Sequence, residues 1–302
     1  MNRRPPRPKR GALPTALHPD PPEYNSLCER GQGGVPTIGS RPFENSQEPT
    51  RPDMPSSDFP RLFEAQYSNY DEDLPFWLSL ASAVDGPALE LGCGPGRVLL
   101  ALARAGKTVD GLDNDSAMLD RARRHLTPDL AGRVRLHLAD LRQFDLGRTF
   151  ALALLPCSTF AHLTDADAAS ALAAIRRHLV LGGTLAIELP HPAESLFPGE
   201  KEDEPILAYL EPESGNPVQV DASQRFDSDS QRVDVTWHYD ELLDDGRVLR
   251  TDIAASYFLR GPERMTCLLD AAGFPQAEFH GDYDRAPFAP DSPRLLVVAR
   301  AG

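Results

Sequence analysis

The 302-residue sequence predicts an α/β fold: a mostly parallel sheet of seven strands with helices on both faces, and an antiparallel β insert between the fifth and sixth strands. Three observations predict it. Between residues 88 and 189, short apolar runs alternate with helical stretches, the pattern of βα units covering a parallel sheet. The first apolar run passes straight into a glycine-rich turn, Gly92-Cys93-Gly94-Pro95-Gly96, and then into a helix. Past Pro190 the period shortens to the two-residue alternation of half-buried antiparallel strands.

Ahead of the first strand, Leu62, Phe63, Tyr67, Leu74, Trp77, Leu78 and Ala81 recur at helical spacing, which reads as two helices separated near Tyr70-Asp71. Residues 88–91 form a strand and 98–105 a helix; 108–112 a strand and 117–126 a helix. Two strands follow, 134–138 and 151–155. Residues 166–179 make a long helix, which Gly182-Gly183 turns into strand 185–189. The stretch 190–217 is acidic and rich in Pro and Glu. Residues 218–226, 233–239 and 248–258 read as successive antiparallel strands. In the middle one, Val233, Val235, Trp237 and Tyr239 alternate with Asp234, Thr236 and His238, giving one apolar and one polar face. Asp244-Asp245-Gly246 signals the hairpin turn after it. Pro262 and Gly273 bracket a helix over 263–272, and strands 276–279 and 295–299 close the fold.

Hydrophobic residues are 41% and charged residues 25% of the chain, so a sizeable core is available. The net charge of −14 argues against a nucleic-acid partner; the cluster Arg121, Arg123 and Arg124 reads as a solvated helix face. Cys28, Cys93, Cys157 and Cys267 show neither C-x-x-C nor zinc-finger spacing, which predicts reduced thiols, a cytoplasmic location and no metal. No apolar run reaches the roughly 18 residues of a membrane span. Residues 1–55 hold twelve prolines and no helical or strand period, and so read as a disordered tail. Met54 at its end is one alternative start; a regulatory or docking tail is the other reading. The expected organisation is therefore a tail (1–55), a core (56–189), an insert (190–259) and a C-terminal helix with the last two strands (260–302).

The chemistry sits in Leu89-Glu90-Leu91-Gly92-Cys93-Gly94-Pro95-Gly96-Arg97. Glycines there let the backbone turn sharply and approach a ligand, and the following helix N-terminus offers unpaired N–H groups. A dinucleotide fingerprint, G-x-G-x-x-G, would need glycine where Arg97 stands. The pattern E-x-G-x-G-x-G instead resembles motif I of the class I S-adenosylmethionine-dependent methyltransferases, which implies a Rossmann-like core and that cofactor. Leu179-Val180-Leu181-Gly182-Gly183 is similar to the family's leucine–proline–glycine–glycine turn, with Leu181 in place of proline. The likeness spans about residues 67–189 and resumes over 263–299, and it resembles small-molecule enzymes with a β insert, sugar-amine N-methyltransferases among them.

By that resemblance Glu90 faces the cationic methionine end, and Gly92, Cys93, Gly94 and Gly96 form the cofactor turn. Asp113, twenty-one residues past Gly92, accepts from the ribose hydroxyls, beside Asn114. Met118 packs near the adenine, whose edge meets Asp140 and the backbone of Leu141. Pro156 opens the loop beside the transferred methyl. Two catalytic candidates follow. Tyr70 either turns its ring to the sulfonium or packs between helices, and His191, just past strand five, is either a general base or a loop histidine. His162 and His238 rank behind it. Cys157 follows Pro156 where cytosine-C5 methyltransferases carry a nucleophile, but the acidic charge does not suit nucleic acid, and Cys157 reads as a small loop residue. The implied activity is methyl transfer to a small soluble acceptor at N or O, with the insert as roof; the alternatives are a nicotinamide-dependent oxidoreductase and a non-catalytic cofactor-binding module.

Overall fold

A computed structural model describes residues 58–192 and 206–302. The tail, the alternative start at Met54 and residues 193–205 lie outside the described residues. Helices α1 (Phe59–Tyr67) and α2 (Leu74–Ser82) precede the sheet, each opened by a proline in its first turn. Then come β1 (Ala88–Leu91), α3 (Arg97–Arg104), β2 (Val109–Asp113), α4 (Ser116–Arg124), the short α5 (Pro128–Ala131), β3 (Val134–Leu138) and β4 (Phe150–Leu155). A 3-10 turn, Thr159–His162, leads to α6 (Asp165–His178) and β5 (Leu179–Pro190). The insert is β6 (Leu207–Leu210), β7 (Pro217–Asp227), β8 (Arg232–Leu242) and β9 (Val248–Phe258). Helix α7 (Pro262–Ala271) and strands β10 (Gln276–His280) and β11 (Arg294–Arg300) finish the chain.

The main sheet runs β10-β11-β5-β4-β1-β2-β3. Its core pairs are parallel, and β11 alone runs against its neighbours β5 and β10. Because β1 lies between β2 and β4, the chain reverses direction at β1, and ligands bind beyond the strand ends at such a switch point. Pleating sends Leu89 and Leu91 to the face covered by α6 and α7 (Leu172, Ile175, Met265, Leu269), while Ala88, Leu152 and Leu154 meet α2 and α3 (Trp77, Leu99, Leu102). Each such fully buried side chain contributes roughly 1.5–3 kcal/mol. Two caps set helix starts: Asp115 accepts from the Ala117 N–H, and the Thr164 side chain from the Asp167 N–H.

Two local expectations are corrected. Gly182-Gly183 does not separate the helix from the strand; β5 starts at Leu179 and runs through the glycines, with Gly182 at φ 73° and a register irregularity against β4. The sequence reading also has no strand at Leu207–Leu210, which β7 pairs as an antiparallel edge. Isolated among Pro and Glu, four residues show no period of their own.

The four insert strands make a second sheet, β6-β7-β8-β9. Its apolar face (Val218, Val220, Tyr239) closes over Leu62 and Phe59 of α1. Arg61 of α1 pairs with Glu211 and Glu241, each at 2.7 Å, in a largely buried cluster. The Tyr209 hydroxyl donates to the Leu62 carbonyl at 2.8 Å, and that of Tyr239 to Gln66 Oε1 at 2.6 Å. Thus α1 is joined to the insert. Among the described residues no helix is long and apolar enough to cross a membrane.

Candidate active site

A cavity of about 930 Å³ opens beyond the C-terminal ends of β1, β2 and β4. Its floor is the turn between β1 and α3, where Gly92, Gly94 and Gly96 take φ of 69°, 51° and 91°, values that favour glycine. The two inner glycines serve different ends. A Cβ on Gly92 would strike the Thr159 side chain, so that glycine lets the 3-10 turn pack on the floor, whereas a Cβ on Gly94 would face the open cavity with only Phe63 at 3.9 Å. Both glycines line the cavity, and at Gly92 the missing side chain also makes room for Thr159.

Glu90 ends β1 beneath this turn, 2% exposed, and its Oε2 has no hydrogen-bond partner among the described residues. Burial pushes its carboxyl up to about 8, only partly offset by Arg97. Asp113 ends β2 with one backbone donor on each oxygen: Gly94 N–H to Oδ2 at 2.7 Å and Asp115 N–H to Oδ1 at 2.9 Å. Burial raises its pKa, against the pull of those hydrogen bonds. The Asn114 backbone adds a further hydrogen bond, and a carboxylate has about four lone-pair sites, so acceptor capacity remains for a ligand. Cys93, Asn114, Met118, Leu141 and Pro156 also line the cavity. Asp140 lines it too, but Arg142 clamps its carboxylate and holds it below the usual aspartate range.

The walls carry residues that motif reading does not single out. Arg97 grips Asp73 with both nitrogens (2.5 and 2.6 Å) and donates to the Tyr70 carbonyl at 2.9 Å. Asp73 also accepts from Trp77 Nε1 at 2.9 Å. Tyr70 is therefore held: its ring lies 5.0 Å from the Arg97 guanidinium and its hydroxyl meets Tyr283 at 3.0 Å and Arg294 at 3.1 Å. Glu188, near the end of β5, accepts from the Tyr283 hydroxyl at 2.8 Å and from the Cys157 N–H at 3.0 Å. That second bond secures the left-handed pair Cys157 (φ 53°) and Ser158 (φ 57°) which starts the 3-10 turn. Burial pushes the Cys157 thiol up to about 12, which disfavours the thiolate that a nucleophile needs.

The two histidines exchange rank. His191 is absent from the cavity lining; its ring stacks on Phe288 at 5.6 Å, and its buried Nε2 has no partner among the described residues. His162 lines the cavity, with Nδ1 2.9 Å from the Ser256 carbonyl and its ring 4.5 Å from that of Tyr257. With Nδ1–H donating to Ser256, the lone pair sits on Nε2. Crowding by protein lowers its pKa below the ordinary 6.5, partly countered by that hydrogen bond, while water reaches the ring from the cavity. His238 pairs with Asp252 at 2.7 Å on the outer face of the insert.

Residues 88–183 match the family described as methyltransferase domain. Over that stretch the chain is similar to the class I S-adenosylmethionine-dependent methyltransferases. The chain is 35% identical over 112 residues to a dTDP-3-amino-3,6-dideoxy-alpha-D-glucopyranose N,N-dimethyltransferase of Streptomyces fradiae, a segment covering 37% of this chain and 42% of the relative. A Streptomyces venezuelae dTDP-3-amino-3,4,6-trideoxy-alpha-D-glucopyranose N,N-dimethyltransferase is 33% identical over 101 residues, 33% of this chain and 40% of the relative. The match thus spans about two fifths of those curated relatives' lengths. In solved structures, an S-adenosylmethionine-bound amino pentose methyltransferase from Micromonospora echinaspora superposes with TM-score 0.60 at 26% identity, over 80% of this chain and 97% of that one. A sugar N-methyltransferase from Streptoalloteichus shares the fold, with TM-score 0.63 at 22% identity over 89% and 99% of the two chains. These likenesses favour the methyltransferase reading over the nicotinamide one.

Proposed function

We propose that the protein transfers the methyl group of S-adenosylmethionine to an amino group of a small, sugar-like acceptor. The observation that carries the reading is the Glu90 carboxylate, buried beneath the glycine turn with one oxygen unpartnered among the described residues. A buried acid of that kind calls for a cationic ligand, and the α-ammonium of the cofactor's methionine part is one. Asp113, its oxygens already aligned by Gly94 and Asp115, would take the two ribose hydroxyls. Met118, Asp140 and Leu141 would border the adenine, and Asn114, Cys93 and Pro156 complete the wall. The cofactor supplies a sulfonium methyl electrophilic enough that little further activation is needed.

The chain's own residues do the rest. His162 Nε2 would accept the proton an ammonium acceptor must lose before its nitrogen can attack. Glu188 and Tyr283 hold the loop that carries His162, and Arg97 with Arg294 and Tyr283 hold the Tyr70 segment across the cavity. The insert's β8 and β9 line the acceptor side, where they would position the acceptor for near attack. Support for nitrogen and for a sugar-like acceptor comes from the names of the curated relatives. The net charge of −14 disfavours nucleic acid. Calorimetric titration with S-adenosylhomocysteine and, separately, with NAD tests the proposal: saturable binding of the first and none of the second is expected. The converse result would overturn it.

A further inference from the structure

Among the described residues, the side of the cavity that faces the insert is walled chiefly by aromatic side chains. Phe63 and Tyr67 come from α1, Trp237 and Tyr239 from β8, and Tyr257 from β9. Three of the polar tips are engaged by the protein: the Tyr239 hydroxyl donates to Gln66, and Tyr257 and Trp237 hydrogen-bond each other. What these three leave for a ligand is ring surface. Phe63 and Tyr67 lie 4.7 Å apart and His162 and Tyr257 4.5 Å apart, so the base candidate sits within this aromatic wall.

The guanidinium groups along the cavity are already paired or distant. Arg97 is bound on both nitrogens by Asp73, and Arg142 is clamped to Asp140. Arg104 ends α3, about 10 Å along the helix from the glycine turn at the usual rise. An anionic group in the acceptor half would lose its water among rings and meet the field of a chain of net charge −14. A cationic amine on a ring-bearing carrier meets the opposite situation, because ring faces attract cations and pack flat apolar surface.

Taking the methyltransferase reading as its basis, we infer that the acceptor is a cationic amine on an uncharged, ring-bearing carrier such as an amino glycoside, and not a nucleotide-diphosphate sugar. The test uses the full chain saturated with S-adenosylhomocysteine. Binding is measured for a phenyl 3-amino-3,6-dideoxyglucopyranoside, for the dTDP-linked form of the same amino sugar, and for thymidine diphosphate alone. With S-adenosylmethionine present, methylation of the two amines is followed. The glycoside should bind and turn over with kcat/KM about tenfold or more above the nucleotide sugar, and thymidine diphosphate should not compete with it. Tighter binding or faster turnover of the nucleotide sugar, competition by thymidine diphosphate, or binding of neither amine would overturn the inference. Trp237→Leu should lower glycoside affinity while S-adenosylhomocysteine affinity holds; an unchanged glycoside affinity would count against the aromatic wall. Failure of S-adenosylhomocysteine to bind would instead sink the methyltransferase reading, so the two failures are distinct.

Discussion

The backbone N–H of Gly94 donates to Asp113 Oδ2 at 2.7 Å, tying the turn after β1 to the end of β2. This one bond lets two strand ends share a ligand, since it orients the carboxylate and sets the height of the glycine turn. Asp113→Ala removes the bond and the proposed ribose acceptor together. Affinity for S-adenosylhomocysteine should fall by about 1.5–3 kcal/mol, the range for hydrogen bonds to a charged group. Calorimetry checks this, and equal affinity in the two proteins would remove Asp113 from the site.

On the proposed reading, Glu90 would make cofactor binding a proton-linked event. Its carboxyl stands at about 8 against an ordinary 4.5, because burial favours the neutral form. A raised acid stabilises the fold fully below its ordinary value, and that contribution is lost as pH climbs toward about 8. An arriving ammonium would let Glu90 ionise, so binding near pH 7 should release up to about one proton. Titration in buffers of differing ionisation enthalpy reads this directly. Glu90→Gln should abolish the release; heats that do not depend on buffer in the wild type would refute it.

The βα alternation, the glycine turn and the strand-end acids are legible in the sequence because each is a local pattern. Glu90 and Asp113 end strands at fixed distances from Gly92, and Asp244-Asp245-Gly246 marks its own hairpin, where the Leu243 N–H indeed bonds the Arg247 carbonyl at 2.9 Å. What escapes is long-range. Tyr283 reaches Glu188 across 95 residues and Arg61 reaches Glu241 across 180, and no period announces such pairs. His191 has the better sequence position, directly after β5, yet its ring faces Phe288, while the left-handed Cys157-Ser158 pair carries the chain into the turn that brings His162 to the cavity. Side-chain direction after a loop depends on backbone angles that residue types alone do not reveal.

His162→Ala should cost about a hundredfold in kcat on the phenyl glycoside amine, a usual share for a positioned base. Cofactor affinity should hold. The wild-type rate should fall on the acid side, below the ordinary histidine range, since crowding lowers the His162 pKa. The variant should lose that limb of the profile. His191→Ala should leave turnover unchanged; a large loss there with none at His162 would reverse the two roles.

Arg61 supplies the ion pairs that join the roof to α1. Its guanidinium lies 2.7 Å from both Glu211 and Glu241, carboxylates that are almost fully buried. Glu241 is held below the usual range first by the Arg61 hydrogen bond. Burial would raise Glu211, but the N–H groups of Glu213 and Ser214 outweigh it and hold it low as well. Depressed acids contribute stability above their ordinary values and lose it as pH falls through the lowered ones. Arg61→Met keeps much of the packing but strands two buried negative charges, which should cost about 3 kcal/mol at neutral pH. Denaturant unfolding at pH 7 and pH 4 reads both effects, and the loss should shrink at the lower pH as the carboxylates protonate in the variant. Because α1 also lines the acceptor wall through Phe63 and Tyr67, loosening it should raise the KM for the amine more than it weakens S-adenosylhomocysteine. An equal shift in both would mean that α1 and the insert do not form the acceptor wall as a unit.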